Sequence, residues 1–313
     1  MKEIHMYSNY EIERLSSDEK RIYFETLKKQ CEELKIKKTP TIGQKLISKI
    51  YPLLRNYDFE IIGEENIPQN DSALFVCNHS NSHDIFTAYE IMEKLSKSAT
   101  VMVASDCLSL PVNLLFQSAN ATMIDRRDKN SSTNGMLEIS KKIIEGKCGV
   151  IFGESTWNLH PYLPMQTIKM GTAKIGAITQ KIIIPTIFEY VEVPDLCKKE
   201  SELYTKCIVY FGQPIKINTN ENLLKQTIYI QHIMESMRRN IWKKLNIKRD
   251  SLNDVNQELY LNHTYIKKFK ALGFTYDTES ESKFLFAPKG QNPINEYCVD
   301  ENGRFTPGIT KKK

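Results

Sequence analysis

No stretch of the 313-residue chain approaches the ~18 consecutive apolar residues of a membrane-spanning helix. The first residues, MKEIHMYSNYEIERL, lack the apolar centre of a secretory leader, so an exported protein is not expected. The seven cysteines are scattered singly, with no Cys-x-x-Cys pair. An odd count without a framework points to a reducing compartment rather than a disulfide scaffold. No His-Glu-x-x-His helix marks a zinc hydrolase, and no Gly-x-Ser-x-Gly elbow marks a serine nucleophile of the α/β-hydrolase kind. Internal repeats and low-complexity tracts are also missing. Charge of one sign is scarce: 43 basic residues face 38 acidic ones, a net +5. That balance permits attraction to an anionic surface and does not call for nucleic acid.

What is present is concentrated between Ala73 and Glu90. The apolar run Ala73-Leu74-Phe75-Val76-Cys77 predicts a buried strand. It stops at Asn78-His79, and polar residues follow until Ile85-Phe86 opens a helical pattern. Ser80, Asn81 and Ser82 are all capping residues, so a helix should begin near Ser82 or His83. His79 then lies in the loop at the carboxyl end of a strand, where open α/β sheets gather their sites. Asp84 falls in the first turn of the next helix, whose dipole favours a carboxylate. A carboxylate there can hold one imidazole nitrogen, fix the tautomer and leave the other nitrogen to take a proton. A His-x4-Asp spacing alone is weak evidence, because it arises easily by chance. A metal site drawing on Cys77, His79, His83 and Asp84 is the alternative, but His79 belongs to a loop and not to the helix that would give it i, i+4 geometry with His83. The reading carried forward assigns no metal.

The remaining pattern is that of alternating strands and helices. Residues 9–37 read as one charged helix, and Gly43 to Tyr57 as a second, with Leu46, Ile47, Ile50, Tyr51, Leu53 and Leu54 on a broad face beside Lys45 and Lys49. Pro52 should kink or shorten it. This pair is either a helical cap or an interfacial segment with basic flanks on anionic lipid. Strands are expected over Asp58–Gly63, Thr100–Ala104, Ala121–Asp125, Cys148–Phe152 and Tyr204–Phe211. Ile182–Ile187 contains Pro185 and should be an edge or irregular strand. Helices are expected over Ser132–Gly146, Ile168–Gln180 and Glu221–Ile247. The last has an apolar stripe of Leu224, Ile228, Ile233, Met237, Ile241 and Leu245, and a basic face that includes Arg238, Arg239, Lys243 and Lys244. After Asp250 one more helix, Leu252–Leu272, should precede short strands and turns.

Two strand ends carry further site material. Ile124-Asp125-Arg126-Arg127-Asp128 places two guanidinium groups where they could grip an anion bidentately, or could simply pair with the flanking carboxylates. Gly153-Glu154-Ser155-Thr156-Trp157 places a carboxylate and an aromatic after another strand.

Four stretches in order resemble the glycerolipid acyltransferases of the lysophosphatidic acid acyltransferase type: Asn78-His79 with Asp84, Met123-Ile124-Asp125-Arg126, Phe152-Gly153-Glu154-Ser155-Thr156, and Ile183-Ile184-Pro185-Thr186. The lead-in Gly63-Glu64-Glu65-Asn66-Ile67-Pro68 is similar to that family too. The resemblance implies a mixed α/β sheet flanked by helices over residues 57–249, an amino-terminal helical segment over 1–56 that could face a membrane, and a small extension over 250–313 of unassigned role. It implies His79 as general base and Asp84 as its orienting carboxylate. An acceptor hydroxyl would attack an acyl thioester, carried on coenzyme A or acyl carrier protein, with no acyl-enzyme and no further cofactor. Arg126, Glu154, Ser155, Thr156 and Trp157 would form the acceptor site. The partners implied are the thioester, a lipid acceptor and an anionic membrane surface, on the cytoplasmic side. The third stretch departs from the family's usual Phe-Pro-Glu-Gly-Thr-Arg, with Gly153, Ser155 and Trp157 in place of Pro, Gly and Arg. Trp cannot supply the charge of that Arg, so the acceptor is expected to differ from plain lysophosphatidic acid. A silent lipid-binding protein of the same fold, or a lipid or thioester hydrolase, are the competing classes.

Overall fold

The structure is a computed structural model. It describes residues 6–36, 42–80, 83–105, 110–125, 128–155, 158, 164–192 and 204–246, together with the strands Tyr297–Val299 and Phe305–Pro307. In chain order the helices are α1 (Asn9–Arg14), α2 (Ser17–Glu33), α3 (Ile42–Leu54), α4 (Asp84–Lys94), α5 (Leu110–Ser118), α6 (Lys129–Ile144), α7 (Gly171–Thr179) and α8 (Leu223–Lys244). The strands are β1 (Asp58–Ile62), β2 (Leu74–Cys77), β3 (Ala99–Ala104), β4 (Thr122–Ile124), β5 (Cys148–Phe152), β6 (Ile183–Glu192), β7 (Tyr204–Phe211), and the separate pair β8 (Tyr297–Val299) and β9 (Phe305–Pro307).

Strands β1 to β7 form one mixed sheet in the order β1-β7-β6-β2-β5-β3-β4. From β6 to β4 all neighbours are parallel, and β7 runs antiparallel to β6 with β1 parallel to β7. The expected α/β sheet flanked by helices is therefore what forms. The central strand β2 is apolar throughout and wholly buried, as a strand covered on both faces must be. Its alternate residues feed two cores. Phe75 and Cys77 face Tyr51 of α3, Ala88, Tyr89 and Met92 of α4, and Phe116 of α5. Leu74 and Val76 face Phe24 and Leu27 of α2, Ile143 of α6, Ile175 of α7 and Met234 of α8.

Several elements differ from the sequence expectation. The single helix over 9–37 is two, because Ser8 with Glu11 and Ser16 with Glu19 each close a capping box. An N-cap residue takes extended backbone angles, so the second box interrupts the helix at Ser16. Helix α3 stops at Leu54, two residues past Pro52, and not at Tyr57. Helix α7 starts at Gly171, because the preceding chain runs extended: Ile168 N–H donates to Gln231 Oε1 and Lys169 N–H to the Gly153 carbonyl. The predicted helix Leu252–Leu272 lies outside the described residues.

Strand β6 is the largest departure. It is central, between β7 and β2, despite Pro185. Leu74 and Asn78 N–H groups donate to the carbonyls of Ile182 and Thr186, so pairing with β2 uses the even-numbered residues of β6. Pro185 faces the other side, where only its carbonyl is engaged, by Gly212 N–H at 2.7 Å. No donor is required there, and proline fits.

The stripe of α8 is also rotated. Leu223, Thr227, Ile230, Gln231, Met234, Met237, Arg238, Ile241 and Trp242 are buried, whereas Leu224, Ile228 and Ile233 are only partly so. Arg238, expected on the basic face, is inside: its Nε donates to Glu189 Oε2 at 2.6 Å, and Trp242 Nε1 donates to Glu189 Oε1 at 2.8 Å. A buried carboxylate on β6 must be paired, and that requirement turns the helix.

Gly43 shows how closely α3 is seated. A Cβ there would collide with backbone atoms of Ser118 and Ala119 at the end of α5. Gly43→Ala is expected to destabilise the fold by about 1–3 kcal/mol, the usual cost of overpacking, even though alanine favours helix. Thermal unfolding followed by circular dichroism checks this: the midpoint should drop by several degrees.

Candidate active site

The loops after β2, β5 and β4 leave the sheet at the same carboxyl edge, because those strands are parallel. After β2 the chain is pinned by Asn78. Its side-chain carbonyl accepts Phe188 N–H at 2.7 Å and its amide donates to the Phe188 carbonyl at 3.0 Å. The side chain thus continues the β2–β6 ladder one step beyond the backbone. Sequence reasoning placed Asn78 in a motif and gave it no role; an amide directly after a buried strand was the available signal.

His79 follows, and its imidazole Nδ1 lies 2.8 Å from Asp84 Oδ2. The same oxygen accepts Ser80 N–H at 2.8 Å. An oxygen that accepts a backbone N–H is acting as an acceptor, so Nδ1 carries the hydrogen and, in the neutral ring, Nε2 is the nitrogen with the lone pair. Asp84 is fully buried at the first turn of α4, while the His79 side chain keeps 14% of its surface. The ring stacks on Phe152, with centroids 4.3 Å apart and planes 24° from parallel. The contact joins the residue after β2 to the first residue of α4.

Glu154 sits one strand over, after β5. Its Oε1 accepts His79 N–H at 2.7 Å and its Oε2 accepts Gln166 N–H at 2.5 Å. The residue is 1% exposed. Placed in the acceptor site by resemblance, it is located where it ties the backbone under His79 to the 164–166 segment. Burial pushes its carboxyl up to about 8; the Gln166 and His79 N–H bonds and the charge of Arg238 oppose the rise, and Asp84 adds to it. Ser155 is exposed and has left-handed backbone, φ +60°. Asn158 N–H closes the loop onto the His79 carbonyl at 2.5 Å. Arg126, Thr156 and Trp157 lie outside the described residues. Strand β4, which leads to Arg126, is three inter-strand spacings from β2, about 14 Å along the edge. The second motif is therefore not adjacent to His79 in the sheet, although it shares its edge.

Of the residues once weighed as a metal set, His83 turns away: its Nδ1 lies 2.6 Å from Tyr51 Oη, in a cluster with Tyr57 and Tyr190. Cys77 points into the core, and burial raises its thiol well above the ordinary range. It is no thiolate nucleophile for the neighbouring imidazole. Among the described residues no three His, Cys, Asp or Glu converge as a metal cage.

The raised carboxyl of Glu154 has a measurable consequence. The folded state holds this proton more tightly than the unfolded chain, so the stabilisation is complete below the ordinary value of 4.5 and is lost as pH rises toward about 8. Glu154→Gln keeps one of the two acceptor oxygens and removes the titration. Urea unfolding across that interval should show the wild type losing stability relative to the variant as pH rises; parallel curves would contradict the assignment.

Residues 58–189 match the model of the family described as acyltransferase. No curated protein matches the chain. Among solved structures it is similar to the crystal structure of the 1-acyl-sn-glycerophosphate (LPA) acyltransferase PlsC from Thermotoga maritima, at 16% identity over 76% of this chain and 87% of that one, with a TM-score of 0.47. The family match takes in β1 to the centre of β6 and with them Asn78, His79, Asp84 and Glu154. The likeness to the acyltransferase family is carried by residues 58–189.

Proposed function

We propose that the chain transfers an acyl group from an acyl thioester, on coenzyme A or acyl carrier protein, to a hydroxyl of a lipid acceptor. The observation that carries this reading is the contact of His79 Nδ1 with the buried Asp84 Oδ2 at 2.8 Å. The acceptor O–H gives its proton to His79 Nε2 as its oxygen attacks the thioester carbonyl. The tetrahedral intermediate then expels the thiolate as the C–S bond breaks, and His79 returns the proton to sulfur. Asp84 stabilises the imidazolium between the two transfers. Glu154 and Asn78 hold the backbone that presents the ring.

The acceptor reaches this site from a lipid surface. Ile42, Leu46, Ile50 and Leu54 recur every fourth residue along α3 and are all exposed, with Leu53 beside them 82% exposed. Lys45 and Lys49 are exposed along the same helix. Helix α5 packs against α3 and adds exposed Leu110 and Leu114. Such a stripe with basic flanks fits an anionic bilayer surface. Its carboxyl-terminal end is linked by Tyr51 to His83, the residue before Asp84, so the apolar stripe ends beside the catalytic loop. Among the described residues no helix is long and apolar enough to cross a membrane.

Incubation with labelled long-chain acyl-CoA and a total lipid extract tests the chemistry. A new acylated lipid is expected, and His79→Ala should reduce its formation by about 10²–10⁴-fold without loss of fold. Free fatty acid as the sole product would point to a hydrolase, and transfer unaffected by His79→Ala would overturn the mechanism. The surface is tested by co-sedimentation with anionic vesicles: Leu53→Glu together with Leu54→Glu should abolish binding while leaving the thermal midpoint unchanged.

A further inference from the structure

Four of the helices start on a side-chain cap: Ser8 for α1, Ser16 for α2, Asp128 for α6 and Asn222 for α8. Helix α4, which carries Asp84, does not. His83 holds its cap position, and the His83 side chain makes no capping hydrogen bond. Its ring is turned to α3 instead, with Nδ1 2.6 Å from Tyr51 Oη. The rings of Tyr51, Tyr57, Tyr190 and Tyr204 stand around the imidazole, with centroids 5.9 to 6.4 Å away.

Tyr51 is buried, and its ring stacks on Phe86 with centroids 5.3 Å apart and planes 21° from parallel. Phenylalanine would pack there as well. The hydroxyl is the part that needs a cause, because a buried polar group costs stability unless it is paired. It has two close partners, His83 Nδ1 and Tyr57 Oη, each at 2.6 Å. Tyr57 Oη lies 3.2 Å from Thr87 Oγ1, which lies 3.0 Å from Tyr190 Oη. This chain of hydroxyls ties α3, α4 and β6 together at the amino-terminal end of α4, and such a buried network rigidifies what it joins.

The other polar contacts from α3 and the residue after it meet α4 further along. Gln44 donates to Glu93 Oε2 at 3.2 Å and to the Lys97 carbonyl at 3.0 Å, at the carboxyl end of α4. Arg55 takes both oxygens of Glu90, at 2.9 and 2.6 Å. Of these contacts, Tyr51 is the one that reaches the turn holding Asp84. A small displacement of that turn changes the Asp84–His79 distance directly, since Asp84 follows His83 in the chain.

We infer that Tyr51 is a positioning residue for the transfer: its hydroxyl holds His83, and through it the first turn of α4, where Asp84 meets His79. The inference rests on the acyl-transfer reading and extends its machinery to α3.

Tyr51→Phe keeps the ring and removes the hydroxyl. With labelled palmitoyl-CoA as donor and total lipid extract as acceptor, its maximal rate should fall by about tenfold, the scale expected of a slightly misplaced catalytic group. The half-saturating concentrations of palmitoyl-CoA and of extract should not move. The thermal midpoint should drop by about 2–4 °C for one lost hydrogen bond. Gln44→Met loosens the far end of α3 and is the control: it should lose at least as much thermal stability and keep the wild-type rate. In an Asp84→Asn background, Tyr51→Phe should change the residual single-turnover rate by no more than about twofold, because residues that act as a unit are not additive. An unchanged maximal rate in Tyr51→Phe overturns the inference while leaving acyl transfer intact. So does an equal loss of rate in Gln44→Met, or a full tenfold loss in the Asp84→Asn background. No transfer by the wild-type chain overturns the acyl-transfer reading itself and this inference with it.

Discussion

One carboxylate oxygen, Asp84 Oδ2, accepts both the His79 imidazole and the Ser80 backbone N–H. The rest of the site is arranged around that oxygen. It is buried at the start of a helix, where the dipole favours negative charge, and its two donors fix both the ring and the loop that carries it. The neighbouring supports act on backbone and not on the ring. Asn78 extends the sheet under the loop, and Glu154 takes the His79 N–H from the adjacent strand. A general base needs a defined tautomer and a fixed position more than it needs many partners. Here one buried acid sets the tautomer and two buried polar side chains set the position.

The sheet makes this economical. Strands β2, β5 and β6 are parallel neighbours, so their carboxyl ends bring Asn78-His79, Glu154 and Phe188 together without any long-range loop. The buried ion pair of Arg238 with Glu189 joins α8 to β6, and Arg238 also donates to the Pro164 carbonyl, in the segment that carries Gln166. The polar network therefore runs from α8 through that segment and Glu154 to the backbone of His79. Buried networks of this kind rigidify a site when every member is satisfied.

Much of this was legible in the sequence, and the failures have identifiable causes. The β2–loop–α4 unit could be read because an apolar run, a polar gap and a capped amphipathic pattern follow each other at the right lengths. The break at Ser16 was readable too, since Ser16 and Glu19 form a capping box, but the apolar stripe continued across it and dominated. Pro185 misled because the strand rule assumes both sides of a central strand need donors; the ladder to β7 begins only after that position. Arg238 misled because periodicity counts every charge as outward, and its partner Glu189 lies far away in sequence. Glu154 was recognised by motif while its contacts, two backbone N–H groups, leave no pattern in the sequence. The pairing of His79 with Asp84, by contrast, could be read, because both residues belong to the same strand–loop–helix unit.

The central claim is that Asp84 acts through His79 by fixing its tautomer. Asp84→Asn, measured in a single turnover with labelled acyl-CoA, tests it most directly. The amide is nearly isosteric, so the fold and substrate binding should persist while the rate of transfer falls by several orders of magnitude, to near that of His79→Ala. A variant that transfers at close to the wild-type rate would contradict the account.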